Sequence, residues 1–372
     1  MKSASARFFS LFLIAGFAFS VSVAQVAQSP GPLPGMPPVE NPNDIYAADR
    51  AGMLSPVVKD FPERVYVPNT QSNTVSIIDP ATYKVIATHK VGTQPQHVVP
   101  SWDMKTLWVL NDMSNSLTAI DPMTGKLGKT YPVEDPYNMY YTPDGKYAIV
   151  VAEALQRLMF RDPQTMKLVN SLKVDCKGVD HMDFSADGSY LIASCEFQGR
   201  VIKVDVASQQ VMGYVDIDPK AMPQDVKLSP DGKIFYVADM MSNGVFMIDG
   251  EKPSMMGFIP TGKGTHGLYV SRDSKVLYIS NREEGSISIL DLATSTVINK
   301  WQLPKGGSPD MGGVSADGKV LWLSGRYNQE VYAIDTSDGH LIARIPVGKG
   351  PHGLAIFPQP GRYSLGHTGV YR

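Results

Sequence analysis

The stretch Thr74-Val75-Ser76-Ile77-Ile78-Asp79 ends on an aspartate that follows two apolar residues, and this pattern returns along the chain. The aspartates that mark its seven copies are Asp79, Asp121, Asp162, Asp205, Asp249, Asp291 and Asp335. Their successive spacings are 42, 41, 43, 44, 42 and 44 residues. A repeat of about 40 to 45 residues with four short strands is typical of a β-propeller blade, whereas helical repeats show a 3.6-residue periodicity.

One copy shows the order of strands and turns within a blade. Its first strand, Val226-Lys227-Leu228, follows Pro223-Gln224-Asp225 and leads into the turn Ser229-Pro230-Asp231-Gly232. Three further short strands follow at 234–238, 244–248 and 257–260. Proline and Asp-Gly supply the dihedral angles that tight turns need. Such strands bury little alone, so we predict an all-β fold, a seven-bladed β-propeller of four-stranded antiparallel blades whose core lies between blades.

The two ends of the repeat region complete each other. Residues 351–356 read as a first strand without a following blade, and residues 64–67 read as a second strand without a preceding one. Together they make the seventh blade. Sharing one blade between the N- and C-terminal strands closes the ring and removes an exposed sheet edge.

The N-terminus has the pattern of a secretory signal. Lys2 and Arg7 precede an apolar stretch at 8–23, and Ser22-Val23-Ala24 suits cleavage. We therefore predict a signal peptide at 1–24, a Pro-rich extended lead-in outside the core at 25–60, the propeller at 61–361 and a C-terminal tail at 362–372. No later segment is long and apolar enough to span a bilayer. The expected location is the periplasm or the exterior.

Charge and cysteine content narrow the function. The 34 Lys and Arg residues nearly balance the 36 Asp and Glu residues, which argues against a nucleic-acid surface. The expected partners are a small ligand or an envelope protein, and the expected state is a monomer. In an oxidising compartment Cys176 and Cys195 can pair, because a hairpin turning at 185–188 places Cys195 opposite about Val179. Two buried thiols are the alternative; without C-x-x-C spacing, a cysteine metal site is disfavoured.

Four of the seven histidines fall where the first strands begin. In a propeller, the loop that enters the first strand and the loop that leaves the second open on the same end of the channel. His97 and His181 occupy one of two adjacent positions there, and His266 and His352 occupy the other. The carboxylates Glu153, Glu196 and Asp239 come at the ends of second strands in three consecutive blades, so we expect them to face the same end of the channel. For His89, His340 and His367 we expect structural or surface roles.

Imidazole and carboxylate groups around one channel are ligands for copper, zinc, nickel or iron. The candidate metal ligands, with copper or zinc as the ion, are His97, His181, His266, His352, Asp225, Glu196 and Asp239. Met311 adds a soft ligand if the ion is copper. The same groups suit proton transfer, with His181 beside Asp180 and near Glu196. The competing interpretation is a wet polar lining, since adjacent residues of a strand point to opposite faces.

Two segments carry a family resemblance. Tyr66-Val67-Pro68-Asn69 before residues 74–79, and Tyr278-Ile279-Ser280-Asn281 before residues 286–291, resemble the repeat of the YVTN-type seven-bladed propellers, which include YncE-like and lactonase-like exported proteins. The resemblance covers about residues 62 to 358 and implies the fold. More distantly, the chain is similar to the rings of nitrous oxide reductase, thiocyanate dehydrogenase and haem-d1 nitrite reductase. Those enzymes have larger histidine sets or extra domains that this chain lacks.

Three functions are compatible with these residues. The first is binding of a metal ion or small ligand at the histidine-lined mouth, with a redox role. The second is a non-catalytic interaction scaffold in the cell envelope. The third is a lactonase-like hydrolase, in which His181 and Glu196 would activate water. The sequence contains no G-x-S-x-G, H-E-x-x-H or phosphate-loop motif.

Overall fold

The computed structural model describes residues 31–367 and 370–372 and consists of seven four-stranded antiparallel sheets. The predicted all-β, seven-bladed propeller is therefore confirmed. Short 3-10 turns at Ala47–Asp49 and Asp112–Ser114 are the helical segments of this described part. Within it, we find no helix with the length and apolar character required to cross a membrane. The predicted signal peptide at 1–24 lies outside the described residues.

The strands, in chain order, are β1 (Arg64–Asn69), β2 (Thr74–Asp79), β3 (Lys84–Lys90), β4 (Pro95–Pro100), β5 (Leu107–Asn111), β6 (Ser116–Asp121), β7 (Lys126–Pro132), β8 (Asn138–Tyr141), β9 (Ala148–Ala152), β10 (Arg157–Arg161), β11 (Leu168–Lys173), β12 (Val179–Phe184), β13 (Tyr190–Cys195), β14 (Arg200–Asp205), β15 (Gln210–Asp216), β16 (Pro223–Leu228), β17 (Ile234–Asp239), β18 (Gly244–Asp249), β19 (Met255–Pro260), β20 (Thr265–Val270), β21 (Val276–Asn281), β22 (Ser286–Asp291), β23 (Thr296–Gln302), β24 (Pro309–Val314), β25 (Val320–Gly325), β26 (Glu330–Asp335), β27 (Leu341–Pro346) and β28 (Ala355–Phe357).

Six blades take four consecutive strands each, from β4 to β27, and the remaining blade has the order β28-β1-β2-β3. In that blade Val65 pairs with Ile356 and Tyr66 pairs with Ala355. The ring is thus closed by strands from both ends of the chain, as predicted. The innermost strands are β4, β8, β12, β16, β20, β24 and β28. We call the end of the channel where these strands begin the mouth and the opposite end the base.

The repeated aspartates act in turns. The Asp79 carboxylate accepts the amide of Ala81 at 3.0 Å, which holds the hairpin between the third and fourth strands of the blade. Asp121, Asp162, Asp205, Asp249, Asp291 and Asp335 each accept an amide two or three residues ahead in the same way. A side chain that mimics a backbone acceptor favours a turn at that point. The sequence repeat therefore marks turns, and the apolar residues between them form the core.

The core lies between neighbouring blades. Tyr236 and Ala238 of β17 pack with Leu268 of β20 and Ile279 of β21, and all four are buried. The Cys176–Cys195 disulfide forms as predicted, and Val179 lies opposite Cys195 in the sheet. This bridge joins the loop before β12 to the end of β13.

The lead-in differs from the expectation that it stays outside the core. Leu33, Ile45, Tyr46 and Val58 are buried. The Leu33 amide donates to the Asp187 carbonyl at 2.9 Å, and the Tyr46 hydroxyl donates to the Leu228 carbonyl at 2.7 Å. The described part of the lead-in therefore lies across the base. Its apolar residues have neither helical nor strand spacing, so periodicity did not reveal them.

The C-terminal tail folds back into the channel. Ser364 pairs with Tyr371, and the Leu365 amide donates to the Val370 carbonyl at 2.9 Å. We call residues 363–367 and 370–372 the tail hairpin. It pairs with β8, since the Tyr141 amide donates to the Leu365 carbonyl and the His367 amide to the Met139 carbonyl. At the base, the Arg372 guanidinium meets the Asp183 carboxylate at 3.1 Å. The tail hairpin thereby fills the base of the channel.

Candidate metal centre

The innermost strands are irregular where the histidines lie. Register shifts interrupt the pairing of β4 between Pro95 and Val98, of β12 between Val179 and Met182, and of β20 between Thr265 and Leu268. β16 and β24 have the same irregularity. A bulge redirects side chains from the regular alternation of a strand. It brings residues from both adjacent positions to one centre, where strict alternation would have separated them.

The four histidines chosen from the sequence lie together. Ring centroids are 4.9 Å apart for His97 and His352, and 5.7 Å apart for His97 and His181. His266 lies 6.2 Å from His181 and 6.1 Å from His352. All four side chains are at most 3% exposed. The channel therefore holds a buried group of imidazoles, which a solvated polar lining would not produce.

A fifth imidazole comes from the tail hairpin. The His367 ring lies 4.7 Å from His181 and 5.3 Å from His97, and it stacks on Tyr140. The expectation of a structural or surface role for His367 missed this place. No sequence signal marked it, because the tail follows no repeat and its position depends on pairing with β8.

Two buried groups have geometry that suits a metal ion. The candidate ligand atoms of His97, His181 and His367 lie within 4.8 Å of one another, and so do those of His266, Asp310 and His352. A third group, Asp335, Asp338 and His340, is largely exposed at the outer edge. Asp310 is the second residue of β24 and was not among the predicted ligands.

Hydrogen bonds fix which ring nitrogen carries the lone pair. His97 Nδ1 lies 2.8 Å from the Tyr137 carbonyl oxygen, which can only accept, so Nδ1 carries the proton. His97 Nε2 is then unprotonated, buried and without a hydrogen-bond partner. His266 Nδ1 contacts the Asp310 carboxylate at 3.2 Å and the Met311 sulfur at 3.0 Å, which leaves its Nε2 unprotonated as well. Outer hydrogen bonds of this kind prepare histidines as ligands.

His181 is held differently. The Asn138 side-chain oxygen accepts the Met139 amide at 2.8 Å, so its nitrogen faces the histidines and donates to His181 Nδ1 at 3.1 Å. The ring proton of His181 therefore sits on Nε2, 3.1 Å from Asp180 Oδ1. This contact does not have hydrogen-bond geometry, so His181 Nε2 and both Asp180 oxygens are buried without a hydrogen-bond partner. A metal that binds through Nε2 would displace this proton.

The histidines are neutral at neutral pH. Burial lowers the pKa of His97 to about 4. Burial, followed by neighbouring histidines or arginines, lowers the pKa values of His181, His266, His352 and His367 well below the usual range. Neutral imidazole is the form that binds metals. The fold therefore keeps five imidazoles in the neutral form, in which one ring nitrogen carries a lone pair.

The three carboxylates predicted as metal ligands lie outside the two buried groups. Asp225 accepts the Val226 and Leu268 amides at 2.9 Å, and its oxygen lies 3.8 Å from His367 Nε2. Asp239 accepts the Ser242 amide at 2.7 Å and thus stabilises a turn of its own blade. Glu196 is half-buried near the mouth. Among the described residues, none of these three belongs to a group with metal-ligand geometry.

Register corrects the alignment of the second strands. In each blade, the residue before the repeat aspartate pairs with a residue near the start of the second strand. Val204 pairs with Leu191, for example, and Ile334 pairs with Leu321. Counting from these positions, the residues that follow the second strands are Thr70, Asp112, Glu153, Glu196, Met240, Arg282 and Arg326, which we call the mouth ring. Asp239 lies one residue earlier, at the position of Asn69. Three acids follow one another around the mouth, and two arginines follow a methionine.

The mouth ring controls the charge above the histidines. Burial raises the pKa of Glu153 to about 8, and the Glu196 charge adds to this effect. Burial, with Glu196 and Glu153, raises the pKa of Asp180 well above its usual range. Arg282 meets the Asp310 carboxylate at 3.2 Å. Glu153 therefore holds a proton at neutral pH, and Arg282 is paired with Asp310.

Comparison with known proteins gives the family. The sequence matches the family described as YNCE-like beta-propeller over residues 45–361. The chain belongs to this family. No curated protein sequence matches it.

Solved structures share the fold at low identity. The periplasmic gluconolactonase PpgL of Pseudomonas aeruginosa is 18% identical with a TM-score of 0.67, over 80% of this chain and 99% of that one. The Kuenenia stuttgartiensis hydrazine synthase structure is 21% identical with a TM-score of 0.65, over 76% and 98%. The dihydro-heme d1 dehydrogenase NirN is 16% identical with a TM-score of 0.62, over 87% and 82%. These similarities concern the fold alone.

Proposed function

We propose that this YNCE-like propeller binds one copper or zinc ion through His97, His181 and His367. One observation carries the proposal: three buried imidazoles from β4, β12 and the tail hairpin bring candidate ligand atoms within 4.8 Å of one another. Imidazole nitrogen is a preferred ligand of both ions, and a set of three leaves room for a water molecule or a substrate. With copper the site would support redox chemistry.

The neighbouring group supports this site. Asp310 is already engaged by Arg282 and by His266 Nδ1, both at 3.2 Å. A guanidinium competes with a metal ion for the same carboxylate, so we assign His266, Asp310 and His352 to the adjoining wall. His352 reaches the ligand set through its contact with His97, at 4.9 Å between ring centroids.

We also propose that the protein works in the periplasm or outside the cell. The pattern at residues 1–24 supports export, and the Cys176–Cys195 bridge suits an oxidising compartment. A lactonase-like hydrolysis at His181 and Glu196 has weaker support, because the His181 side chain is fully buried and a lactone would have to reach it. An interaction scaffold would require neither the buried imidazoles nor their unprotonated nitrogens.

Metal content tests the proposal. Full-length protein, exported and purified without a chelator or a polyhistidine tag, should contain about one copper or zinc per chain by inductively coupled plasma mass spectrometry. The His97→Asn/His181→Asn double variant should lose this metal while remaining folded by circular dichroism. His340→Ala, which alters only the exposed group, is the matched control and should keep the metal. Wild-type protein that stays metal-free after incubation with each ion would refute the proposal.

A further inference from the structure

The charged residues of the mouth ring are not among the proposed metal ligands. Asp112, Glu153 and Glu196 occupy consecutive blades on one side, and Arg282 and Arg326 occupy consecutive blades on the other. Each of these positions follows a second strand and therefore borders the channel. The two sides of the mouth thus differ in sign.

The two arginines have different surroundings. Arg282 is 9% exposed and is bound to the Asp310 carboxylate, with Tyr327 beneath its guanidinium at 5.5 Å. Arg326 is half-buried, and its Nη1 atom is fully buried without a hydrogen-bond partner. A buried guanidinium nitrogen normally has an acceptor, because its desolvation is otherwise uncompensated. Among the described residues, none therefore supplies an acceptor to this Arg326 nitrogen.

Arg326 acts on the same histidines as the candidate metal site. Its charge contributes to lowering the pKa values of His97, His266 and His352. His352 Nδ1, His97 Nε2 and Asp310 Oδ2 are also buried without a hydrogen-bond partner. Arg326 and His352 belong to adjacent blades.

We propose that Arg326 anchors a subsite for a small anion, a carboxylate or an inorganic monoanion of similar size, above the histidines. A planar guanidinium presents parallel N–H groups that match two oxygens of one anion. His352, on the adjacent blade, can contribute its unpartnered Nδ1. The subsite does not require the metal, so it extends the proposed function without depending on it.

The acidic side of the mouth does not cancel this preference. Glu153, with a pKa of about 8, is mostly protonated at neutral pH, and the Asp310 carboxylate is bound directly to Arg282 at 3.2 Å. The charge of Arg326 acts on His97, His266 and His352, whereas that of Lys227 acts on His181 and His367. A small anion that enters from the mouth therefore meets a favourable charge before it reaches the imidazoles.

Formate binding to the metal-free protein tests the subsite. Formate should bind wild type by isothermal titration calorimetry and raise its melting temperature at constant ionic strength. Arg326→Gln should weaken binding at least tenfold, and Arg326→Lys should recover part of it. Arg344→Gln is the matched control, because Arg344 pairs with Glu330 outside the channel and its loss should change nothing.

Three outcomes decide the matter. Formate that binds Arg326→Gln as tightly as wild type, or that fails to bind folded wild type, overturns the subsite. Loss of binding in Arg326→Gln alone supports it, provided that the variant unfolds at the wild-type temperature without formate. Metal analysis of the same preparations is independent: absence of metal would refute the proposed function and leave the formate result to decide the subsite.

Discussion

The His181 and His367 rings lie 4.7 Å apart, although one belongs to an innermost strand and the other to the C-terminal tail. Asn138 joins them, because its side-chain nitrogen lies 3.1 Å from Nδ1 of each ring. The tail hairpin therefore both closes the base and completes the candidate ligand set. Occupation of the site and order of the tail should be linked, since a ligand that binds only the folded arrangement stabilises it.

The first prediction concerns His367. His367→Ala should weaken zinc binding more than about 100-fold, because loss of a direct ligand exceeds the 10- to 100-fold cost of losing a supporting residue. Competition titration with a chromogenic chelator measures the affinity. His89→Ala is the control, because His89 lies on β3, the outermost strand of its blade, and contacts the Gly125 carbonyl there. Equal affinities for His367→Ala and wild type would remove the tail from the ligand set.

The second prediction concerns Gly353, whose missing side chain makes room for His97. A Cβ atom at Gly353 would overlap the His97 ring. Gly353→Ala should therefore displace this ring and reduce metal content, although no ligand is deleted. Gly213→Ala is the matched control, because a Cβ there meets nothing within 4 Å. Wild-type metal content in Gly353→Ala would show that His97 is dispensable or that the ring can move without loss.

The third prediction concerns pH. An unfolded histidine has a pKa of about 6.5, and folded His97 has a pKa of about 4. The folded chain binds fewer protons in this range, so the contribution of His97 to stability is complete above pH 6.5 and is lost as pH falls toward 4. His97→Asn keeps a donor for the Tyr137 carbonyl but does not titrate.

From pH 7 to pH 5, metal-free wild type should lose about 2 kcal/mol more unfolding free energy than His97→Asn. Urea denaturation at both pH values measures the difference. Glu153 and Asp180, with raised pKa values, act in the opposite direction but are common to both proteins. Parallel pH dependence in the two proteins would mean that His97 is not buried in its neutral form.

The fourth prediction concerns the Arg372 and Asp183 pair at the base. Arg372 is 5% exposed, Asp183 is fully buried, and the Arg372 guanidinium also lies over the Tyr46 ring. Arg372→Ala should lower the free energy of unfolding by about 3 kcal/mol, because it leaves a buried carboxylate without its cation. Arg362→Ala, at a partly exposed site, should cost much less. Similar small losses in both variants by urea denaturation would place the tail outside the folded base.

The fifth prediction concerns the disulfide. Replacing Cys176 and Cys195 by serine should lower the free energy of unfolding by about 3 kcal/mol, because the bridge restricts a loop of 19 residues in the unfolded chain. Metal content should not change, since neither cysteine belongs to the candidate site. Mass spectrometry after alkylation, with and without reductant, shows whether the bridge is present in exported protein. Free thiols in that protein would contradict the structure at this point.

The sequence by itself determined the ring. Turn aspartates at regular spacing and short strands specify blades, and a first and a second strand at opposite ends specify closure, because these signals are local and repeat. The same regularity placed His97, His181, His266 and His352 at the beginning of first strands. It could not say whether they converge, since alternation along a regular strand would have sent His97 and His266 in different directions.

Only the tertiary structure decided the centre. Bulges in the innermost strands bring both adjacent positions inward, and strand register separates Asp239 from Glu153 and Glu196 by one residue. His367 joins the other histidines through backbone pairing between the tail hairpin and β8, a contact between segments distant in sequence. Local patterns carry no information about such contacts, because the free energy that fixes them comes from burial and hydrogen bonding in the assembled ring.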